Sequence, residues 1–599
     1  MLNHNKIELP KNVQAALDLL KERRSKVVMT SEVRPEDTGE GYCFEVKLEP
    51  VEINGERIDI EVKVSLDSEY PISEVNVYLK QPNIQGEKHQ RLSDGKLCLN
   101  PALREMFGDE KIIDTLDNAR EWVVDALNSR LALETDSYEE PDFDHGKATI
   151  AQSSIRLVYR ADEQLYNEVW RRRVGTCGDG VLRQMSSINV YAFVEASDNS
   201  GSIVFKDADW SCIKVPGRNN ISVIWCFVDD IIEEFHRPPT TWVELLRLLD
   251  SCTGAKELIR KMWSSSDSNV GYVLVGWPVP DIYGGDCVTC LWRAVAFQTF
   301  KGYKANHKKE NLKKFKPRLV WGKSELASCN PVKWLKAENV SYRNLSARWR
   351  LQEALANATV AIVGCGAVGS ALADKLARGG IGKLFLVDPD CVEYGNLSRH
   401  VLQDSSIGKS KSQELGKHIN GVSPFMKVES AIERLPHLGE AKPKILSCDL
   451  IFDCTGDASA NKLLSNLLKS SSKRLVRLFL NSNATYLTGV ISGRNVSCWE
   501  VEKEFCRDLE MQKDLVKGQG LSIAEYQERA AAVRTSGCWS PTYPGSWIDI
   551  EAMVGCFVKK IESEVQRGWK CDGRVVVFKC LNPSFIGPSV ECVWDQRYR

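Results

Sequence analysis

The sequence has no long hydrophobic segment and no excess of either charge. No apolar run approaches the roughly 20 residues that a membrane-spanning helix needs, and residues 1–6 contain no apolar export core. The 599 residues include 79 basic and 80 acidic side chains, so no general attraction to nucleic acid or to an anionic membrane is expected. The length and composition predict a cytoplasmic protein of several domains that binds neither nucleic acid nor membrane.

The cysteines lack the pairing of a structural zinc site. A zinc site of four cysteines usually combines two Cys-x-x-Cys pairs, and this chain has one, Cys287 and Cys290. We therefore expect these two to be structural cysteines without zinc. Because no export signal is seen, the 20 cysteines are expected to be reduced thiols, not a disulfide framework.

Residues 360–411 are the most informative part of the chain. A short apolar strand at 360–363 leads into a glycine-rich turn, and after a helix-like segment a second apolar strand at 384–387 ends at Asp388. The glycines of the turn are Gly364, Gly366 and Gly369. Glycines let backbone N–H groups approach a phosphate, a helix N-terminus attracts the anion, and an acid after the second strand reaches a ribose hydroxyl. This order predicts a β-α-β unit that binds a mononucleotide.

Charged and amide side chains follow the second strand closely. They are Asp388, Asp390, Asn396, Arg399, Lys409 and Lys411. Carboxylates bind Mg²⁺, and arginine and lysine neutralise phosphate oxygens, so the set is suited to a triphosphate with a divalent ion. A glycine motif of this kind also occurs in nicotinamide oxidoreductases, which remain an alternative.

The spacing of these residues resembles the adenylation domain of ubiquitin-activating enzymes and their bacterial sulfur-carrier relatives, the ThiF family. The shared elements are Asp-x-Asp-x-Val-x-x-x-Asn-Leu-x-Arg, then Gly-x-x-Lys, then the run Asp453-Cys454-Thr455-Gly456-Asp457. The resemblance covers residues 340–541. It implies a Rossmann-like domain that uses ATP and Mg²⁺ to convert a small protein's C-terminal carboxylate into an acyl-adenylate, with release of pyrophosphate.

The resemblance implies a role for each matching residue. It expects the phosphates to be lined by Gly364, Gly366 and Gly369, the ribose to be bound by Asp388, and the triphosphate to be held by Asn396, Arg399 and Lys411. Asp457 would hold Mg²⁺. The family usually places this aspartate directly after the threonine, whereas Gly456 stands between Thr455 and Asp457 here, so Asp453 remains a rival for the metal.

A candidate thioester cysteine, Cys538, lies downstream in the run Thr-Ser-Gly-Cys-Trp-Ser-Pro-Thr. A thioester-forming cysteine needs an exposed loop and a field that favours the thiolate. The next helix is expected to begin at Ser546 with a capping box to Asp549, and its apolar stripe is Ile550, Val554, Phe557 and Ile561. In the resembling family a Gly-Cys-x-x-Pro-Thr element carries the cysteine that takes the acyl group from AMP. The alternative is a packed core cysteine, and Cys538 is favoured over its neighbours Cys498, Cys506 and Cys556.

The first 135 residues predict an α+β layout. A helix at 8–24 would place Val13, Leu17 and Leu20 on one face, and three alternating apolar runs follow at 44–48, 58–66 and 75–79. Asn54-Gly55 between the first two runs is a strong hairpin signal. An irregular segment and a helix bearing Trp122 complete the pattern.

This layout is similar to the ubiquitin-conjugating fold, in which a histidine precedes a Gly-x-(Ile/Leu)-Cys-Leu turn. Here His89 precedes Gly95-Lys96-Leu97-Cys98-Leu99, and the resemblance implies that Cys98 accepts an acyl group. The family's His-Pro-Asn is split in this chain, which leaves Asn83 and Asn100 as candidates for the oxyanion-stabilising amide. The alternative for Cys98 is a buried cysteine at a strand end.

The whole chain is expected to contain a ubiquitin-conjugating-like domain at 1–135, an α/β linker domain at 136–335 and an adenylation domain at 336–599. This arrangement resembles the bacterial fused activating–conjugating enzymes of CBASS antiphage operons. The resemblance implies a relay from Cys538 to Cys98 and then to an acceptor protein amine. The activated partner would be the C-terminal tail of a cGAS/DncV-like nucleotidyltransferase or of a ubiquitin-like protein, and the enzyme a homodimer.

Two further alternatives stay open at this point. The chain could be a sulfur-carrier adenylyltransferase for cofactor biosynthesis, in which case Cys98 is superfluous. It could instead be an activating enzyme whose conjugating-like domain is an inactive scaffold that recruits a partner. Residues 136–335 do not distinguish these alternatives, because they predict an α/β domain without a recognisable site.

Overall fold

The computed structural model divides the chain into two compact units, Met1–Asp207 with Val215–Val340, and Ala208–Lys214 with Ser341–Arg599. The residues that the structure describes are 9–22, 27–36, 41–67, 69–70, 73–84, 95–97, 99, 111–128, 155–185, 189–206, 220–229, 238–282, 285–306, 317, 321–324, 326, 329–345, 350–423, 426–511, 521–527, 545–568, 573–580 and 590–598.

The first unit begins with an antiparallel sheet and two helices. The elements are α1 (Lys11–Glu22), β1 (Val27–Met29), β2 (Arg34–Pro35), β3 (Gly41–Ile53), β4 (Glu56–Asp67), β5 (Asn76–Gln81) and α2 (Lys111–Leu127). The strand order is β1-β3-β4-β5, and β2 pairs with β3. All of these pairs are antiparallel.

The helices, the hairpin and the alternating strands predicted for this segment are confirmed among the described residues. Asn54 and Gly55 join β3 and β4 with φ of +54° and +84°, the left-handed backbone that a tight hairpin turn requires. Val13, Leu17 and Leu20 of α1 are buried, and so is Trp122 of α2. The alternating residues of β3 and β4 bury one face of the sheet against these helices, since all belong to one hydrophobic cluster.

The rest of the first unit is a mixed nine-stranded sheet. Its strands are β6 (Arg156–Tyr159), β7 (Thr176–Gln184), β8 (Val190–Asp198), β9 (Ile203–Lys206), β10 (Asn220–Phe227), β11 (Val270–Pro280), β12 (Cys287–Gln298), β13 (Trp334–Leu335) and β14 (Ala337–Asn339). The order is β13-β12-β11-β10-β7-β8-β6-β14, and β9 pairs with β8. Its helices are α3 (Glu163–Glu168), α4 (Trp242–Leu248), α5 (Ala255–Ser265) and α6 (Phe300–Asn306), with 3-10 turns at Trp170–Arg173, Leu249–Ser251 and Trp321–Lys323.

Aromatic side chains fill the core on one side of this sheet. Trp170 is 1% exposed and lies 4.7 Å from Trp292 between ring centroids, in an edge-to-face arrangement. Cys287 and Cys290 both lie on β12, where the pairing register with β11 shifts between them, and both pack with the same hydrophobic cluster. Cys290 is fully buried, which favours the predicted structural role.

The second unit is built on an eight-stranded sheet. Its strands are β15 (Thr359–Val363), β16 (Lys383–Val387), β17 (Lys427–Ala431), β18 (Leu450–Asp453), β19 (Arg474–Leu480), β20 (Tyr486–Ile491), β21 (Gly573–Cys580) and β22 (Val590–Tyr598). Its helices are α7 (Tyr342–Leu345), α8 (Glu353–Ala356), α9 (Ala367–Arg378), α10 (Lys411–Val422), α11 (Ala441–Ser447), α12 (Ala458–Leu468), α13 (Cys498–Met511), α14 (Ile523–Gln527) and α15 (Trp547–Gln566), with 3-10 turns at Tyr394–Arg399 and Asp404–Ser406.

The strand order of this sheet is β17-β16-β15-β18-β19-β20-β21-β22. The first five strands are parallel to one another, and β20 to β22 run antiparallel to their neighbours. The chain proceeds from β15 outward through β16 and β17, then crosses back to β18 on the other side. This reversal is the topological switch point at which α/β sheets bind ligands, beyond the carboxyl ends of the strands. The predicted Rossmann-like domain is confirmed.

Helix α15 covers one face of the sheet. Its predicted stripe of Ile550, Val554, Phe557 and Ile561 is buried, and a Cβ added to Gly489 of β20 would lie 1.8 Å from the ring of Phe557. The helix begins at Ser546 as predicted, but the Ser546 hydroxyl accepts a hydrogen bond from the N–H of Ile548 at 3.2 Å, not from Asp549. In the described parts of the chain no helix combines the length and the apolar character needed to cross a membrane.

Candidate nucleotide site

The glycine turn after β15 packs closely against the loop after β18. Gly364 has a φ of +92°, and a Cβ added to it would lie 2.8 Å from the backbone of Cys454 and Thr455. A Cβ on Gly369 would lie 1.9 Å from the carbonyl oxygen of Gly364, so α9 approaches the turn too closely for any side chain there. At Gly366 an added Cβ would meet no described heavy atom within 4 Å. The turn therefore borders open space at the N-terminus of α9, where a phosphate would be favoured.

Two buried side chains hold the peptide group of Cys365 in the middle of this turn. Its N–H donates to Oδ2 of Asp388 at 2.6 Å, and Nε2 of His400 lies 2.8 Å from its carbonyl oxygen. Nδ1 of His400 accepts from the N–H of Leu402 at 3.2 Å, so Nε2 carries the proton and donates. Burial lowers the pKa of His400 to about 4, which keeps the imidazole neutral. Sequence reasoning missed His400, and its position directly after Arg399 was the available signal.

Asp388 stands at the carboxyl end of β16, as predicted, and is 6% exposed. Its second oxygen, Oδ1, accepts from the N–H of Asp390 at 2.8 Å. Burial raises the pKa of Asp388, while these backbone hydrogen bonds and the charge of Lys411 oppose the rise. The Asp388 carboxylate therefore holds the backbone of Cys365 and Asp390 in place. A ribose hydroxyl would have to donate to the lone pairs of this carboxylate that remain free.

Lys411 begins α10 beside the same loop. Its N–H donates to the carbonyl oxygen of Asp390 at 2.9 Å, and its Nζ lies 3.5 Å from Oδ2 of that residue. Asp390 is also 3.3 Å from Nη2 of Arg434, and its side chain is 53% exposed. The Lys411 side chain is only 13% exposed, and its ion pair with Asp390 keeps the ammonium group near the glycine turn.

Asn396 and Arg399 belong to the 3-10 turn Tyr394–Arg399. Oδ1 of Asn396 accepts from the N–H of Glu393 at 3.0 Å, so this amide oxygen caps its own turn. Arg399 is partly buried and directly precedes His400. Because His400 is hydrogen-bonded to the Cys365 carbonyl oxygen, the end of this 3-10 turn lies against the glycine turn.

The two rival metal-binding aspartates differ sharply in environment. Asp453 is fully buried, and its Oδ1 accepts from the N–H and the hydroxyl of Thr455 at 3.0 and 2.7 Å. Burial raises the pKa of Asp453. Asp457 is exposed and caps α12, where its Oδ1 accepts from the N–H of Ser459 at 2.8 Å. Access to a metal therefore favours Asp457.

The candidate cysteines Cys98 and Cys538 lie outside the described residues, as do His89 and Asn100. Leu97, beside Cys98, is buried, and its N–H donates to the carbonyl oxygen of Val77 at 2.8 Å. Among the neighbours of Cys538, Cys498 is buried with a pKa raised by burial, which disfavours its thiolate. Cys556 packs against the core on α15, and burial also raises the pKa of Cys506.

Two family models match the chain. Residues 340–510 match the ThiF family, and residues 135–340 match the Cap2 central linker domain. An ATP-dependent ubiquitin transferase-like protein Cap2 from Enterobacter hormaechei subsp. hoffmannii (strain UCI 50) is 23% identical over 450 residues, which are 72% of this chain and 71% of that protein.

Other similarities cover smaller parts of the chain. The adenylyltransferase and sulfurtransferase MOCS3 of Xenopus laevis is 34% identical over 128 residues, or 20% of this chain and 27% of that protein. The solved structure of Escherichia coli MccB with ATP is 14% identical with a TM-score of 0.28, covering 41% of this chain and 65% of MccB.

Proposed function

We propose that this chain, a Cap2-like enzyme in which a Cap2 central linker domain precedes a ThiF-family domain, uses ATP to activate a protein C-terminus as an acyl-adenylate. The observation that carries the proposal is the switch point of the second unit. There a turn pinned by Asp388 and His400 borders open space, with Lys411 on one side and Asp457 on the other. A helix N-terminus, a lysine and an exposed carboxylate are the groups that a magnesium nucleotide requires.

The residues present fit ATP and Mg²⁺. Gly366 offers the open approach to the phosphates, Gly364 and Gly369 hold the turn against the loop after β18 and against α9, and Asp388 would bind the ribose. The carboxylate of Asp457 would hold Mg²⁺, which is usually bound in such sites by one or two carboxylates together with phosphate oxygens and water. Mg²⁺ would neutralise charge on the triphosphate.

The side chains of the second unit would promote the first step, formation of the acyl-adenylate. A carboxylate oxygen of the substrate C-terminus attacks the α-phosphorus of ATP, and the bond from that phosphorus to the bridging oxygen breaks to release pyrophosphate. Asn396, Arg399 and Lys411 bind the triphosphate and stabilise the charge that moves onto the leaving group. Their fixed positions around the glycine turn would bring the two reactants together.

We propose a thioester relay for the second stage. The Cys538 thiolate attacks the acyl carbon and releases AMP, the Cys98 thiolate displaces Cys538, and an acceptor amine displaces Cys98 to leave an amide. The support is the Gly-Cys-x-x-Pro-Thr and Gly-x-Leu-Cys-Leu elements and the α+β layout of β3, β4, β5 and α2. The proposed substrate is the C-terminal tail of a cGAS/DncV-like nucleotidyltransferase or a ubiquitin-like protein, handled in the cytoplasm by a homodimer.

The test is intact-mass analysis of the full chain incubated with ATP, Mg²⁺ and the protein encoded by the adjacent gene. Wild type should form a thiol-sensitive adduct, Cys538→Ala should form pyrophosphate but no adduct, and Cys98→Ala should stop before the amide. Cys506→Ala is the matched control and should behave as wild type, since Cys506 lies on α13, outside the Gly-Cys-x-x-Pro-Thr element. Normal amide formation by Cys538→Ala would contradict the relay.

Adenylation for sulfur transfer is a second candidate, favoured by the similarity of about a fifth of the chain to MOCS3. In that case the acyl-adenylate is attacked by a sulfur donor, and the first domain takes no part. Cys98→Ala would then leave product formation intact, which separates this candidate from the relay.

A further inference from the structure

Arg477, on β19, lies against the turn that carries Asp457. Its guanidinium is 3% exposed, and Nη1 donates to the carbonyl oxygen of Asp457 at 2.6 Å. Nη2 reaches the carbonyl oxygen of Gly456 at 3.5 Å. One rigid, planar donor thus holds two successive carbonyls of the turn.

Three neighbours fix the direction of this guanidinium. Nη1 lies 3.6 Å from Oδ2 of Asp453, and Nε lies 3.5 Å from Oε2 of Glu502. Both carboxyls are buried, and burial raises the pKa of each while the charge of Arg477 opposes it. The ring of Phe479 covers the guanidinium, with its centroid 4.7 Å from Cζ. Held from these sides, the donors point at the turn.

The turn itself needs a tether. Gly456 has a φ of +72°, a left-handed conformation that the following helix does not continue. Asp457 then caps α12, so the direction of its side chain depends on how this peptide is oriented. Asn461, one turn into α12, donates to the same Glu502 oxygen that faces Arg477. Arg477 therefore holds the turn, Asn461 holds the start of α12, and both contact the buried carboxylate of Glu502.

We infer that Arg477 is a positioning residue for the Asp457 carboxylate. By holding the carbonyl oxygens of Gly456 and Asp457, Arg477 fixes the backbone of the turn. The backbone in turn directs the Asp457 side chain toward the divalent ion of the nucleotide. The inference rests on the proposed function, because Asp457 is a metal ligand only within it. Removing an outer partner of a metal ligand usually costs about 10–100-fold in metal affinity, and action through the backbone places Arg477 at about 10-fold.

Calorimetric titration of the full chain with ATP, in the presence and absence of Mg²⁺, tests this role. Arg477→Lys keeps a positive charge between Asp453 and Glu502, but an ammonium cannot donate in fork geometry to two carbonyls. We expect about 10-fold weaker binding of ATP with Mg²⁺, and Mg²⁺-free binding within about twofold of wild type. Asp457→Asn should remove the Mg²⁺ enhancement, and in that background Arg477→Lys should add no further loss.

Arg574→Lys is the matched control. Arg574 on β21 is 7% exposed and, like Arg477, lies between two carboxylates, those of Glu564 and Asp595, away from the turn. It should leave the Mg²⁺ enhancement unchanged. Equal loss with and without Mg²⁺ in Arg477→Lys, or the same selective loss in Arg574→Lys, would overturn the inference.

Two further outcomes are decisive. If Asp457→Asn retains the full Mg²⁺ enhancement, the proposed metal ligand is wrong, and the inference falls with it. If thermal melting shows that Arg477→Lys does not fold, Gly456→Ala perturbs the same turn, because its φ opposes a side chain although no described atom lies within 4 Å of the added Cβ. Absence of a selective Mg²⁺ effect in that variant overturns the inference.

Discussion

The peptide group of Cys365 shows how single side chains organise the candidate site. Asp388 takes its N–H and His400 donates to its carbonyl, so the turn that would bind phosphate is fixed before any nucleotide arrives. Asp388 was predicted from its place at a strand end, whereas His400 was not. The contact of His400 joins residues 35 apart in sequence, and no local pattern reports such a pairing.

The buried imidazole makes stability depend on pH. Burial lowers the pKa of His400 to about 4, below the value of about 6.5 for an unfolded histidine. Between these values the unfolded state binds more protons, so this contribution to stability is present above pH 6.5 and is lost as the pH falls toward 4. His400→Gln, whose amide can still donate to Cys365, should lack this loss, which amounts to about 3 kcal/mol.

Urea unfolding at pH 7 and pH 4 measures the effect. His437→Gln is the control, since His437 is exposed and its removal leaves the Cys365 peptide untouched. It should follow the wild type. The same loss of free energy in wild type and His400→Gln would show that the buried imidazole is not the titrating group.

The first turn of helix α9 lies against the glycine turn that precedes it. Gly366, at the open side, is the N-cap residue of this helix, and Gly369, at the close approach, lies three residues later in its first turn. The sequence pattern predicted one phosphate-binding motif that includes both glycines, but only the surroundings of Gly366 and Gly369 show that their roles differ. Gly369 allows the helix to pack closely against the turn, and Gly366 leaves room for a ligand.

Alanine substitutions should separate these roles. In Gly369→Ala the added Cβ would lie 1.9 Å from the Gly364 carbonyl oxygen, so we expect about 1–3 kcal/mol less stability and weaker ATP binding together. In Gly366→Ala stability should stay within about 1 kcal/mol, while ATP binding weakens, because the methyl group occupies the approach to the phosphates. Chemical denaturation and ATP titration measure both, and a stable Gly369→Ala with normal ATP binding would refute the assignment.

Helix boundaries were more predictable than the partners of their capping residues. The start of α15 at Ser546 followed from its local sequence, but Asp549 does not take part in a capping box. The thiol of Cys580 on β21 donates to the Asp549 carboxylate at 3.1 Å, a contact between elements that local sequence does not show. Burial, and then the hydrogen bond to this carboxylate, raise the pKa of Cys580 to about 11.

The switch point of the second unit brings together segments that are far apart in the chain. The turn after β15, the loop after β16 and the turn after β18 lie at the carboxyl ends of neighbouring strands in the parallel part of the sheet. These segments contribute Gly366, Lys411 and Asp457. A ligand bound there should therefore protect all three segments at once and leave the sheet of β3, β4 and β5 unaffected.

Hydrogen exchange of the full chain with and without magnesium ATP tests this expectation. Slower exchange is expected at residues 364–369, 388–399 and 454–459, because ordering by a ligand raises the free energy of local opening. The hairpin of β3 and β4 serves as the internal reference. Protection confined to residues 41–67 would place the nucleotide elsewhere and contradict the site.

Much of this protein could be foreseen from local pattern. Periodicity and turn chemistry placed α1, the β3–β4 hairpin, β15, β16 and α15, because these depend on spacing within a few residues. The boundaries at 135/136 and 335/336 and the roles of Cys98 and Cys538 stay predictions. The choice between Asp453 and Asp457, the neutral His400 and the tether from Arg477 came from packing between distant segments. Burial and charge pairing set those properties, and both arise from neighbours that the chain brings together when it folds.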